Sequence, residues 1–307
     1  MLPAEYRRFA RVVKESALQP NDRRAILADS CHNDDEEAVA MSYPFDDRPA
    51  EDERLVRQGT LFDPLTRRVL QRAGLAPGMR VLDLGSGAGN VARLAGELVG
   101  PRGAVVGVEQ DPAAVELARR RTDAANIAFR VGDVQTLEGV EDGFDAVVGR
   151  LVLMYLPDPA AALDRAASRL RPGGVLCLHE ADLTYPPAWP LTPLWTQTHG
   201  WFVTTLEKAG FEPRMGPALF HAFRAAGLPA PALLVESFAA GGPQAPAWAW
   251  ANVIGALVPL MERLGVATHA ELDPPTLADR LLADILACHG TVIGPPMTGA
   301  WATLPIA

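Results

Sequence analysis

Residues 81–89, Val81-Leu82-Asp83-Leu84-Gly85-Ser86-Gly87-Ala88-Gly89, carry an apolar run into three closely spaced glycines, and Asn90-Val91-Ala92-Arg93-Leu94 then opens like a helix. The run fits a buried parallel strand. Glycines at a strand-to-helix turn let backbone N–H groups approach a ligand that a Cβ would block. The third glycine comes one residue earlier than in the dinucleotide pattern G-x-G-x-x-G, so the stretch departs from that fingerprint while still pointing to an adenosine-containing ligand.

Outward from this point the chain repeats a strand–helix rhythm. Ala104–Glu109 reads as a second apolar strand ending in an acid, 24 residues after Gly85. A carboxylate at that distance can take both hydroxyls of a ribose. Asp111 and Pro112 then suit the N-cap and first position of a helix reaching Arg121. Residues 127–131, 144–150 and 175–179 supply three more strands, and the first of these closes on Gly132-Asp133-Val134. A helix is expected over 158–171, stopped by the turn Arg171-Pro172-Gly173-Gly174. Such alternation predicts an α/β fold with a doubly wound, mostly parallel sheet, whose ligands sit at the carboxyl ends of the strands. Gly85, Glu109, Asp133, Arg150 and Glu180 all fall at those ends.

The pieces VLDLGSGAG, VVGVEQD, FRVGDV, FDAVVGRLVLMYLPDP and LRPGGVLCLHE, in this order and spacing, resemble the core of class I S-adenosylmethionine-dependent methyltransferases. The likeness is to their ubiquinone-biosynthesis-like small-molecule branch and covers residues 75–182. It implies a Rossmann-like sheet of seven strands and S-adenosyl-L-methionine as cofactor, with S-adenosyl-L-homocysteine as product. It further implies that Gly85, Ser86, Gly87 and Gly89 lie under the methionine moiety and that Glu109 holds the ribose. Gln110 would stand beside the adenine, with Asp133 and Val134 near its amino group. Arg150 and Leu151 would stand by the methionine end. An N-terminal segment folded over the cofactor would bring Tyr43, Arg54 and Gln58 to the ligand.

Two other classes compete. A nicotinamide-dependent oxidoreductase is disfavoured by the early third glycine, by Asp83 and by LRPGG. A binding protein that lost transfer is disfavoured by the intact Gly85–Gly89, Glu109 and Asp133.

The chain has 307 residues, 49% of them hydrophobic and 21% charged, with a net charge of −9. That balance fits a globular protein and argues against a general nucleic-acid binder, whose phosphate contacts need basic surface. Arg119-Arg120-Arg121 reads as a solvated helix face. Cys31, Cys177 and Cys288 are three widely spaced thiols with no zinc spacing, which suits a reducing compartment. No secretory leader and no membrane-length apolar run is read, so a cytoplasmic location is expected. The partner expected is a small-molecule methyl acceptor, with no nucleic acid and no membrane; a homodimer stays open.

Four segments follow. Residues 1–59 form an N-terminal cap with a charged loop over 29–37, and 60–182 form the cofactor core. Residues 183–230 form a substrate-pocket segment, in which proline density over 183–202 argues against long regular elements. Residues 231–307 hold the last two strands, with inserted lid helices within 246–288 and Thr276 as an N-cap.

A sulfonium-bound methyl is already activated, so the protein mainly aligns the acceptor and excludes water. A base is needed only where the acceptor loses a proton. Glu180 and His179 are the candidates at the end of the fifth strand, of which alternation turns only one toward the site. Tyr155 could hydrogen-bond an acceptor, and His199 is a further base candidate ranked behind these. Glu180 and Asp182 form an i, i+2 carboxylate pair, but no metal is assigned.

Overall fold

The computed structural model describes residues 48–306, which fall within one compact unit. A long helix, α1 (Arg48–Arg72), precedes the glycine-bearing strand β1 (Arg80–Leu84). The chain then runs α2 (Asn90–Val99), β2 (Ala104–Glu109), α3 (Pro112–Arg121), β3 (Ile127–Val131), β4 (Phe144–Arg150), α4 (Pro159–Ala167) and β5 (Leu170–Ala181). The seven-stranded sheet has the order β3-β2-β1-β4-β5-β10-β7, with β7 at Ala232–Glu236 and β10 at Met297–Thr303. The first five strands pair in parallel, and β10 lies antiparallel between β5 and β7.

The helix starts follow from their caps. The Asp111 side chain accepts from Ala113 N and Asp158 from Ala161 N, each with proline at the first helical position. Three expectations are corrected. The helix over 158–171 ends at Ala167, and the Arg171–Gly174 turn is absorbed within β5, where the pairing register with β4 shifts between Phe144 and Ala146. The proline-rich stretch begins a regular helix, α5 (Pro193–Lys208), because Pro193 occupies N1 and Thr192 caps it. Thr276 lies inside a helix rather than before it. Asp273, in the left-handed region at φ 49°, is the cap of that helix, and the Thr276 hydroxyl bonds its carboxylate.

Beyond β5 the chain adds α6 (Met215–Ala225), β7, a separate small sheet and a helical layer. Its strands are β6 (Ala188–Trp189), β8 (Ala239–Gly241) and β9 (Thr291–Ile293), in the order β6-β9-β8. The helices are α7 (Ala247–Ala256), α8 (Val258–Arg263), α9 (His269–Leu272) and α10 (Pro274–Ala287). Four helices thus stand between the last two sheet strands in chain order. Trp195, fully buried, donates its indole N–H to the Leu281 carbonyl and joins α5 to α10.

Strand alternation divides the core. Leu82, Leu84, Val147, Leu176 and Leu178 face the layer of α4 to α10, while Val81, Val105, Ala146, Val148 and Cys177 face α1, α2 and α3. None of the described helices is long and apolar enough to cross a membrane.

Candidate functional site

The site lies where the two apolar faces run out at the carboxyl ends of β1, β4 and β5. Register pairs Asp83 with Val148 and Arg150 with His179. With side chains alternating, Asp83, Arg150 and His179 therefore continue the face of Val81, Val148 and Cys177, under α1 and α2. Glu180 continues the opposite face.

Three glycines with positive φ turn the chain from β1 into α2. At Gly85 a Cβ would lie 2.7 Å from Val152 Cγ2, whereas at Gly87 it would meet none of the described residues within 4 Å. Gly85 is thus required by packing, and Gly87 by its backbone conformation and the open space over it. Ser86 donates its N–H to the Val108 carbonyl at 3.0 Å, and its buried hydroxyl has no partner among the described residues. Glu109 binds this loop directly: Oε2 accepts from Gly87 N at 3.0 Å, and Oε1 from Asp111 N at 3.1 Å. Gly89 N closes the turn onto the Ser86 carbonyl. Asp133 Oδ1 caps its own turn by accepting from Gln135 N at 2.8 Å. Val134 is half-buried beside it, and Gln110 is exposed.

Asp83 was not among the expected ligand residues, although its spacing D-x-G-x-G-x-G was visible. Its carboxylate is buried and, among the described residues, neither oxygen has a hydrogen-bond partner of good geometry. Burial pushes its pKa up to about 8, opposed by the Arg150 guanidinium and the nearby Ala92 backbone N–H and assisted by Glu109. An orphaned acid beneath an open glycine turn is complementary to a cationic group.

Arg150 is tied to α1. Its Nη1 donates to Asp63 Oδ1 and to Thr66 Oγ1, both at 2.9 Å. The Thr66 hydroxyl donates to the Phe62 carbonyl and stands 3.1 Å from His179 Nδ1. Asp63 and Thr66 are thus parts of the site that no motif announced. His179 is 2% exposed, and its Nε2 has no partner among the described residues. Burial and the nearby Arg150 lower its pKa to about 3, which keeps the ring neutral.

Glu180 is 0% exposed. Its Oε1 accepts from Val152 N and Leu153 N, both at 2.9 Å, and its Oε2 is unpartnered among the described residues. Burial raises its pKa to about 7 against those amide hydrogen bonds. The turn it holds begins at Leu151, a non-glycine residue at φ 54°, and continues into a 3₁₀ turn over Leu153–Tyr155. Tyr155 is half-buried, edge-on to Phe211 at 5.1 Å between centroids. Asp182 turns aside to Thr184, whose N–H and hydroxyl it accepts.

Beyond Leu151 the surroundings are apolar. Phe62, Leu65, Ala181 and Met297 form one cluster, with Leu151, Leu183 and Phe238 packed on it. Phe62 meets Phe238 edge to face at 5.7 Å. Arg57 of α1 lies 4.5 Å over the Trp248 ring of α7, joining the helical layer to the helix above the glycine turn. Gln58 is half-buried on α1, and Arg54 lies in that helix with its side chain outside the description; Tyr43 lies outside the described residues. The arginine run is more than a solvated face, because Arg121 donates to the Ala88 carbonyl of the glycine turn at 2.8 Å.

Residues 75–208 match a family described as a methyltransferase domain. The chain is 37% identical over 117 residues to an arsenite methyltransferase of Halobacterium salinarum, covering 37% of this chain and 30% of that protein. It is 36% identical over 116 residues to the aklanonic acid methyltransferase DauC of Streptomyces sp. (strain C5), covering 37% and 53%. Against both it spans less than two thirds of the relative's length. With a nocamycin O-methyltransferase of Saccharothrix syringae the identity is 31% over 272 residues, covering 80% of this chain and 89% of that one. Among solved structures, the methyltransferase in complex with the Haloferax volcanii Trm112 methyltransferase activator superposes with a TM-score of 0.50 at 19% identity. That match covers 83% of this chain and 95% of the other.

Proposed function

The chain belongs to the class I S-adenosylmethionine-dependent methyltransferases, and we propose that it methylates a small, apolar or aromatic metabolite, within the ubiquinone-biosynthesis-like small-molecule branch. The observation that carries the acceptor class is the apolar wall of Phe62, Leu151, Leu183 and Phe238 that follows directly on Arg150. The similarity to the nocamycin enzyme over most of both chains supports an oxygen acceptor and a role in natural-product biosynthesis.

When bound, S-adenosylmethionine supplies an activated methyl group that an acceptor lone pair can take. The residues present fit that group. The open space over Gly87 admits it, and the orphaned Asp83 carboxylate is suited to its amino group. Glu109, already at the loop, is suited to the ribose hydroxyls, and Asp133 with Val134 and Gln110 to the adenine side. Arg150 offers a cation to its carboxylate. Tyr43, Arg54 and Gln58 are assigned to the cover over this cleft. Glu180 is given the task of holding the Leu151 turn, since one oxygen is taken by two amides and the group is sealed from solvent. His179 holds the Thr66 hydroxyl that supports Arg150.

Calorimetry with S-adenosylhomocysteine tests the donor site, and turnover of S-adenosylmethionine across a panel of small phenols, enols and acids tests the acceptor class. Donor binding without transfer to any panel member would reject the acceptor class alone.

A further inference from the structure

His199 on α5 is a half-buried titratable side chain bonded to the backbone just beyond β5. Its Nε2 lies 2.9 Å from the Leu183 carbonyl oxygen. A carbonyl only accepts, so Nε2 carries the proton and Nδ1 keeps the lone pair. Nδ1 has no hydrogen-bond partner among the described residues and is not one of the atoms sealed from solvent. The ring is half-buried, stacked on Phe202 at 6.3 Å and edge-on to Trp250 at 5.5 Å. Burial lowers its pKa, outweighing the Leu183 carbonyl and the Asp182 carboxylate, which act the other way. Asp182 is the charged group that bears on the ring; Phe202 on its own helix and Trp250 on α7 are uncharged.

The side chain of Leu183 packs on the cluster of Phe62, Leu65, Ala181 and Met297, so the hydrogen bond from Nε2 ties the imidazole to the main chain of a residue of that apolar cluster. His179 and Glu180 lack this access, at 2% and 0% exposure. A neutral imidazole of fixed tautomer beside an apolar acceptor space is what proton removal from a hydroxyl requires.

We propose that His199 is the general base of the reaction and that the acceptor group is a hydroxyl. This rests on the methyl-transfer reading above. The acceptor O–H bond breaks, its proton passes to Nδ1, and the electron pair left on oxygen forms the new bond to the methyl carbon. The pair of the methyl–sulfur bond stays with sulfur. The Leu183 carbonyl steadies the imidazolium until it returns its proton to solvent.

The test uses the full chain saturated with S-adenosylhomocysteine and catechol as the probe hydroxyl. Nitrogen spectra of histidine-labelled protein should show His199 with its proton on Nε2, and its Nδ1 resonance should move as catechol is added. His199→Gln keeps an N–H near the Nε2 position and removes the base. It should bind S-adenosylhomocysteine within twofold of wild type and transfer methyl to catechol about a hundredfold more slowly, the lower end of general-base effects. A proton on Nδ1, an Nδ1 resonance unmoved by catechol, or equal transfer rates in the two proteins would overturn the assignment. Failure of the wild type to bind S-adenosylhomocysteine would instead strike the donor site.

Discussion

Arg150 Nη1 stands 2.9 Å from Asp63 Oδ1, fastening the end of β4 to the middle of α1. The guanidinium is 7% exposed and the carboxylate 27%. Removing one partner of a buried pair leaves the other charge uncompensated, which costs about 3 kcal/mol or more. Asp63→Ala should therefore lower the thermal midpoint more than removal of an exposed pair such as Arg119–Glu116. Arg150→Met, which takes away the buried cation itself, should weaken S-adenosylhomocysteine binding more than it lowers stability. Calorimetric titration and scanning of the two variants check both statements. Equal losses in affinity would mean that Arg150 does not meet the ligand.

Asp83→Asn tests the orphaned acid. Its folded pKa, about 8, stands above its ordinary value of 3.8, so folding takes up a proton between those limits. The stability linked to this group is complete below about pH 4 and is lost as pH rises toward 8. Glu180, raised from 4.5 to about 7, acts in the same direction, while His179, lowered from 6.5 to about 3, acts oppositely as pH falls. The difference between wild type and Asp83→Asn isolates Asp83. The ligand-free variant should gain stability relative to wild type as pH rises from 5 to 7.5. It should also bind S-adenosylhomocysteine at least about tenfold more weakly, the worth of one charge-assisted hydrogen bond. Thermal midpoints across pH, with and without ligand, provide the check.

The two glycines of the turn should fail differently. Gly85→Ala places a methyl group 2.7 Å from Val152 Cγ2 at φ 58°, so both packing and backbone must shift. Gly87→Ala has open space and pays only the left-handed conformation, about 1 kcal/mol. Gly87→Ala should fold near wild-type stability and lose donor affinity, whereas Gly85→Ala should show a large drop in denaturation midpoint. Comparable midpoints in the two would contradict this.

Glu180→Gln retains an oxygen acceptor for the Val152 and Leu153 amides, whereas Glu180→Ala orphans both. Each unsatisfied buried amide costs about 1–3 kcal/mol. Amide exchange at residues 152–155 should rise strongly in the alanine variant and little in the glutamine variant. Equal exchange in both would show that the carboxylate does not hold the turn.

Much of this fold was legible because its parts are local. Asp111-Pro112 and Gly85-Ser86-Gly87 state a helix start and a strand exit within a few residues, and β2, β3 and β4 run where their apolar residues run. Proline density over 183–202 misleads about α5, because Pro193 after Thr192 starts a helix rather than breaking one. Asp63 and Thr66 were illegible because their roles come from Arg150, more than eighty residues away in sequence. The buried partners of Glu180 exist only once β5 lies beside the turn after β4.

The position of β10 sets the order in which the molecule can be completed. Residues 297–303 slot between β5 and β7, donating and accepting on both sides. Until Thr303 has emerged from the ribosome, β5 has an open flank and β7 has no neighbour in the sheet. Four helices must meanwhile be stored without the strand that anchors them. Such late, long-range closure slows assembly. Nascent chains halted before residue 297 would display the β5 edge to any passing strand.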